Sequence, residues 1–303
     1  MGARPREFLI HALGVWIMIA MTIAIATYAD RIWVNLLAIV WIGTRMNILA
    51  LLAHDQAHSL GFKGKFGDAI ANVLVAYPLG ITIEDYAVVH LRHHKFFLSE
   101  KDPDSHRKSG PDWTFPMPYA RLATLFLKDL SGLTFVSLLK SKRLEDRNVD
   151  RRKHSSPKWL RPSFYAAMAM LLTYWGVWFS FLVYWVLPLV FVFPVVMRIG
   201  AICEHVYDLP PGAGVGKSVV QSSPLILLRW WEKLLIPDLN FKLHPYHHLF
   251  PGLAFGQLPK VHEIFQREGL VDESAVFHGF FAYFKYLQAP ERGQDVRTRA
   301  LEK

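Results

Sequence analysis

Residues 8–53 read FLIHALGVWIMIAMTIAIATYADRIWVNLLAIVWIGTRMNILALLA, and this stretch decides the fold class. Phe8–Ala29 is apolar almost throughout. A helix rises about 1.5 Å per residue, so about 20 apolar residues match a hydrocarbon core of roughly 30 Å. A basic start (Arg4, Arg6) before an apolar run is also the pattern of a secretory signal. This run is long for a signal, and a second run, Ile32–Ala53, follows after only Asp30-Arg31. The expectation is a retained helical hairpin that returns the chain to its starting side.

Two more apolar runs lie downstream, Ser163–Tyr184 and Val186–Cys203, the second holding Pro188 and Pro194. They read as a second hairpin with its turn near Trp185. From His54 to about Arg161 the chain is polar and basic, with Lys140, Lys142, Arg143, Arg151, Arg152 and Lys153. From Glu204 onward it is polar again, except for Leu225–Ile236. That segment is too short to span and has its charges between apolar flanks, as expected of a helix along an interface. The expected fold is all-α: an integral membrane protein with four transmembrane helices in two hairpins and a helical cytoplasmic cap. It forms a single domain, 1–303, with spans at about 8–29, 32–53, 163–184 and 186–203 and a cap made of 54–161 and 204–303. The basic loops put the cap and both termini in the cytoplasm.

Composition agrees. Hydrophobic residues make up 52% of the chain without counting glycine, whereas soluble domains have about 45–50% with glycine included. The net charge of +9 then reads as the positive side of a membrane protein, and no nucleic-acid partner is expected. The single cysteine, Cys203, rules out an internal disulfide, a Cys-based zinc site and an iron–sulfur cluster. Pro211–Ser218 (PGAGVGKS) looks like a phosphate loop, but Pro211 stands where a Walker motif needs Gly and no strand leads into it, so it reads as a connection.

The chemistry lies in the histidines. His54-Asp-Gln-Ala-His58 closes the second apolar run, His90-Leu-Arg-His93-His94 sits in the polar middle, and His244-Pro-Tyr-His247-His248 comes late. Residues three and four apart share a helix face. Each cluster can therefore aim its rings at one place, with Pro245 requiring the third to begin a helix or lie in a loop. His205, beside Glu204 at the end of the fourth run, is a ninth candidate. Hairpins would bring all four stretches to one membrane depth. Nine imidazoles exceed one octahedral shell, so two metal ions are the simplest use for them. Imidazole alone does not choose among Zn, Cu, Fe and Ni. His11, His106, His154, His262 and His278 have no partner at helical spacing and read as non-ligands.

In the order H-x(3)-H, H-x(2)-H-H, H-x(2)-H-H, with two apolar runs between the second and third boxes, the chain resembles the membrane fatty acid desaturase superfamily from about Ile32 to His262. Lys101-Asp-Pro-Asp104, Arg198 with Glu204-His205, Asn240 and the tail His248–His262 resemble bacterial rhizobitoxine-type desaturases. Tyr246 departs from relatives that carry Glu there, which bears on subgroup and substrate more than on metal binding. The resemblance implies two iron ions, O2 as co-substrate, an acyl substrate, a bacterial inner membrane and a desaturation of the EC 1.14.19 type. Zinc would replace iron in an overproduced sample, because similar ligands accept either. Metal-bound imidazoles need a partner for their second nitrogen. Asp55, Asp102, Asp104 and Glu204 are candidates by proximity, and Asn240 for a water-mediated role. The protein holds no electron-carrier signature of its own, so an external donor, a ferredoxin or similar carrier, is expected to dock on the basic cap. Two other readings stay open here: a hydroxylase or ketolase of the same superfamily, and a membrane metal transporter or sensor. Against the latter, the clusters sit at span ends instead of at the midplane.

Overall fold

The computed structural model describes residues 2–64, 66–141, 155–205 and 219–289. The phosphate-loop look-alike Pro211–Ser218, His154 and the basic residues Lys142, Arg143, Arg151, Arg152 and Lys153 lie outside the described residues. The described part is mostly helical, and three of its helices are long and apolar enough to cross a membrane: α1 (Pro5–Ala29), α2 (Ile32–Ala57) and α9 (Trp178–Ile202).

α1 and α2 form the expected hairpin. Asp30 takes a left-handed conformation (φ 44°), and its N–H returns to the Ala26 carbonyl at 3.1 Å. α1 buries Phe8, Ala12, Val15, Ile19 and Ala26, a stripe at three- and four-residue spacing. Its other faces expose Ile10, Leu13, Ile17, Met21 and Ile25. A helix with an apolar stripe inside and apolar side chains outside suits lipid on its free side. α2 approaches α9 closely at Gly43, where a Cβ would stand 2.5 Å from Val192. Small residues permit this kind of backbone contact between membrane helices.

The second hairpin differs from expectation. Its turn is at Trp175–Val177, with Gly176 at φ 65°, not near Trp185. α8 (Leu160–Tyr174) is therefore only 15 residues long. α9 runs straight through the expected break. It absorbs Pro188 by widening into π-helical turns at Leu182–Val186 and Pro188–Val192. A proline removes one helical hydrogen bond, and a wider turn is one way to accommodate the loss without ending the helix.

The stretch expected as polar cap holds an apolar helix, α3 (Gly67–Leu79), packed among the long helices. Pro78 has no N–H to return to the Leu74 carbonyl four residues back. The Trp16 indole of α1 donates to that carbonyl instead, at 2.9 Å. Trp185 of α9 donates to the Pro78 carbonyl at 3.0 Å and stacks on Trp16, with centroids 5.1 Å apart. α3 thus ends at Gly80 beside the middle of α1, and α4 (Ile83–Lys95) leads away from it toward the histidines.

Around this bundle lie α5 (Pro103–Arg107), α6 (Tyr119–Leu130) and α7 (Leu133–Ser141). The C-terminal part adds α10 (Val219–Ser222), α11 (Trp230–Leu235), α12 (His244–Leu249), α13 (Leu258–Arg267) and α14 (Phe280–Leu287). Leu225–Ile236 is not one interfacial helix. Leu225 and Ile226 are buried in β1, paired in parallel with β2 (Val276–Phe277), and only Trp230–Leu235 is helical. Glu232 ties this region together by accepting from the N–H groups of Arg229 (2.9 Å) and Phe280 (2.8 Å), at the starts of α11 and α14. Arg45 of α2 donates to the carbonyls of Leu234 and Leu235, and the Asn47 side-chain amide donates to the Pro237 carbonyl at 2.7 Å. These bonds fix the chain that follows, Asp238–His248, against the histidine end of α2.

Candidate metal centre

Each histidine box is placed by simple local rules. α4 starts at Thr82, whose hydroxyl accepts from the Asp85 N–H at 3.0 Å, with Glu84 and Asp85 in its first turn and Arg92 and Lys95 in its last. Both ends suit the helix dipole. His90, His93 and His94 share one face of it. His54 is in the last turn of α2 and His58 is its C-cap. α12 places Pro245 in its first turn, where a missing N–H costs nothing, so the third box is a helix start.

All nine predicted histidines converge. In one group the Nε2 atoms of His58 and His90 are 2.8 Å apart, His90 and His94 3.0 Å, and His94 and His247 3.0 Å. The His54 ring lies 4.1 Å from that of His90 and 4.5 Å from that of His247. In the other group, His205 Nε2 is 3.1 Å from His93, 3.0 Å from His244 and 3.1 Å from His248, and His244 and His248 are 3.1 Å apart. The rings of His94 and His248, one from each group, stack at 4.0 Å.

These contacts are not an ordinary hydrogen-bond network. A ring nitrogen donates at most one hydrogen, yet His205 Nε2 faces three other ring nitrogens. Their spacing suits a metal shell. With metal–nitrogen bonds of roughly 2.1 Å, ligands at 90° stand about 3.0 Å apart and tetrahedral ligands about 3.4 Å. The observed 2.8–3.1 Å matches the 90° spacing. The absence of a second proton on these rings also suits metal binding. Burial, reinforced by the neighbouring imidazoles, holds His90, His205, His244, His247 and His248 well below the usual histidine range, and His94 at about 2. Neutral imidazole is the form that ligates.

Of the predicted supporting residues, Asp102 lies against a candidate ligand ring. Its carboxylate meets His93 Nδ1 at 2.9 and 3.1 Å while also accepting the N–H groups of Leu98 and Asp104 at 2.9 Å each. It is both a helix cap and a histidine partner. Asp104 and Glu204 instead face Lys108, at 2.9 and 3.8 Å. Burial raises the Asp104 carboxyl, but Lys108 and Arg107 outweigh it and hold the group below the usual carboxylate range. Asp55 accepts from the Phe255 N–H, and the Asn240 side-chain amide reaches the Phe255 carbonyl at 3.4 Å. Both therefore brace the C-terminal segment.

Several contacts went unforeseen. Ser223 Oγ lies 2.6 Å from His205 Nδ1, and Phe97 packs against His93, His205 and His248. Tyr86 stacks on His90 at 5.4 Å, and Phe241 packs edge-on against His54 at 4.4 Å. Only Tyr86 had a sequence signal, standing four residues before His90 on one helix face. Among the remaining histidines, His11 packs on Phe255, His106 meets the Glu100 carbonyl, and His262 Nδ1 shares a hydrogen bond with the Tyr246 hydroxyl at 2.9 Å. Tyr246, the residue that departs from the common third box, thus points toward His262.

No curated protein matches the chain. The family model for fatty acid desaturases does, over residues 31–280, which include every one of the nine histidines. By that match over most of its length, the chain belongs to the fatty acid desaturase family, a family of oxidoreductases.

Proposed function

We propose that the protein is a membrane-bound desaturase that removes two hydrogens from neighbouring carbons of an acyl chain, of the kind similar to rhizobitoxine-type enzymes. The observation that carries this reading is the gathering of nine imidazoles, from four separate stretches, into two adjacent groups, eight of them with ring nitrogens at ligand spacing and His54 packed against His90 and His247. His54, His58, His90, His94 and His247 would hold one iron ion, and His93, His205, His244 and His248 the other. When bound, the two ions supply the oxidising power of O2 toward an unactivated C–H bond. The overall balance is one O2, two hydrogens from the substrate, and two electrons and two protons from outside, giving an alkene and two waters.

The chain's own residues do the positioning. Asp102 and Ser223 fix the rings of His93 and His205 through their second nitrogens. Phe97, Tyr86 and Phe241 wall the imidazoles with apolar surface that keeps water away. Four spans would place the centre and both termini on the cytoplasmic side of a bacterial inner membrane, with α8 as a short third span before α9. The electrons would come from an acidic carrier docking where Lys95 and Lys101 flank Phe96, next in the chain to Phe97. Turnover should then slow as ionic strength rises.

The test is expression in a host with a simple lipid profile, followed by mass spectrometry of lipids and small metabolites. A product lighter by two hydrogens, absent from a His93→Ala variant, supports desaturation. A product heavier by one oxygen would make the enzyme a hydroxylase. No new product from a metal-loaded, folded protein supplied with donor counts against acyl oxidation.

A further inference from the structure

The helices α6 and α7 sort their side chains in a way the metal centre does not require. At 3.6 residues per turn, each residue advances about 100° around a helix. On α6 this gives three faces. Leu122, Leu125 and Asp129 point inward, with Leu125 5% and Asp129 0% exposed. Arg121, Thr124 and Lys128 form a second, exposed and polar face. Ala120, Ala123, Leu127 and Leu130 form a third, exposed and apolar, with Leu127 at 65% and Leu130 at 48%. α7 extends the apolar face with Leu133 (58%) and Val136 (45%). A helix between core and water needs two faces. A third, apolar face separated from the polar one needs a third medium.

The fold supplies it. The joint between the two helices rests on α9, since a Cβ on Gly132 would meet Val190 at 3.0 Å and Phe191 at 3.2 Å. Buried Asp129 accepts from Arg198 of α9 at 2.9 Å and from the Thr134 hydroxyl of α7 at 2.6 Å, locking both helices to α9. Counted from the turn at Gly176, Val190 stands level with Pro162. That is the first turn of α8, flanked by Lys158, exposed Trp159 and Arg161. Tryptophan and basic residues together mark a membrane edge. The apolar face of α6 and α7 is thus continuous with the flank of a membrane-crossing helix at the level where the bilayer ends.

We propose that α6 and α7 lie in the surface of the bilayer. The Ala120, Ala123, Leu127 and Leu130 face, with Leu133 and Val136, is immersed in the acyl chains, and Arg121, Thr124 and Lys128 stand in the headgroup water. This rests on α1, α2 and α9 spanning a membrane. The test places a nitroxide label on single cysteines in the full-length protein, reconstituted in a phosphatidylcholine–phosphatidylglycerol bilayer. Cys203 is fully buried, so unmodified protein is the unlabelled control. Labels at Leu127→Cys and Leu130→Cys should collide with O2 more than with a water-soluble nickel chelate, as should one at Ile17→Cys, an exposed residue in the middle of α1. A label at Lys128→Cys, on the next face of the same helix, should show the reverse. The proposal is overturned if positions 127 and 130 follow the chelate as 128 does. It is also overturned if they are shielded from both reagents with spin–spin broadening that unlabelled protein dilutes away, which would mean a second copy covers the face. If Ile17 also follows the chelate, the membrane reading has failed along with it.

Discussion

Replacing Asp102 by asparagine should loosen one metal ion and spare the other. The Asp102 carboxylate is fully buried and takes three contacts: His93 Nδ1 at 2.9 Å and the N–H groups of Leu98 and Asp104 at 2.9 Å. Asparagine keeps one carbonyl oxygen for the backbone but turns an NH2 toward one of these donors. The lost contact between His93 and an ionised acceptor is worth about 1.5–3 kcal/mol. Removal of such a histidine partner from metal sites lowers affinity about 10–100-fold, or about 1.4–2.8 kcal/mol at 1.4 kcal/mol per tenfold. The two estimates agree. His93 belongs to the group with His205, His244 and His248, so the loss should fall on that ion alone. The assay is chelator competition with metal counting: the wild type should retain two ions over the range of chelator in which Asp102→Asn falls to one. Asp102→Ala should also lose the cap of α5, about 1 kcal/mol more. If the asparagine variant keeps both ions at wild-type affinity, or releases both in parallel, the assignment of His93 to a distinct ion with Asp102 as its partner is refuted.

Metal-stripped protein should lose stability as pH falls below about 6.5. His90, His94, His205, His244, His247 and His248 have depressed values in the fold, so the unfolded chain takes up protons first. Their contribution is fully present above the unfolded value and is lost below it, at up to about 1.4 kcal/mol per pH unit for each imidazole. Denaturant midpoints at pH 7.5 and 5.5 measure it, and equal midpoints would contradict it. Gly43→Ala puts a methyl about where Val192 already stands and should destabilise by about 1–3 kcal/mol. An unchanged melting temperature in detergent would show that α2 and α9 are not packed as described. Tyr246→Phe strips His262 Nδ1 of its hydrogen-bond partner and should destabilise by about 1 kcal/mol with the metal count unchanged. A drop in bound metal would place Tyr246 in the centre itself.

The histidine centre was legible because its signal is periodic. Spacings of three and four put rings on one helix face whatever the surroundings, and apolar runs fixed the depth of two clusters. What was not legible depended on contacts across the chain. The turn of the second hairpin was expected near Trp185, between two apolar runs, whereas the chain turns earlier, at Gly176, and α9 continues past Pro188 by π-helical widening. α3 was hidden because Gly67–Leu79 is only 13 residues long, holds Asp68 and Asn72 and lies amid charged residues; its place rests on the Trp16 and Trp185 indoles, far away in sequence. Asp104 and Glu204 were candidates by proximity in sequence, and the carboxylates of both face Lys108, a pairing with no sequence pattern. Ser223 reaches His205 across 18 positions that carry no pattern.

The distribution of ligands between the two groups constrains how the protein is made. His247 belongs to one group, and His244 and His248 to the other. Both pockets therefore stay incomplete until the last quarter of the chain leaves the ribosome and folds back on α2. His94 and His247 are 153 positions apart. Closing such a loop takes roughly 4–5 kcal/mol of chain entropy, which the energy of binding an ion there would help to offset. A nascent chain stalled before His244 would carry both helical hairpins but neither full set of imidazoles. Whatever ion the two groups hold, its shell is completed only when the C-terminal segment packs back against the hairpins.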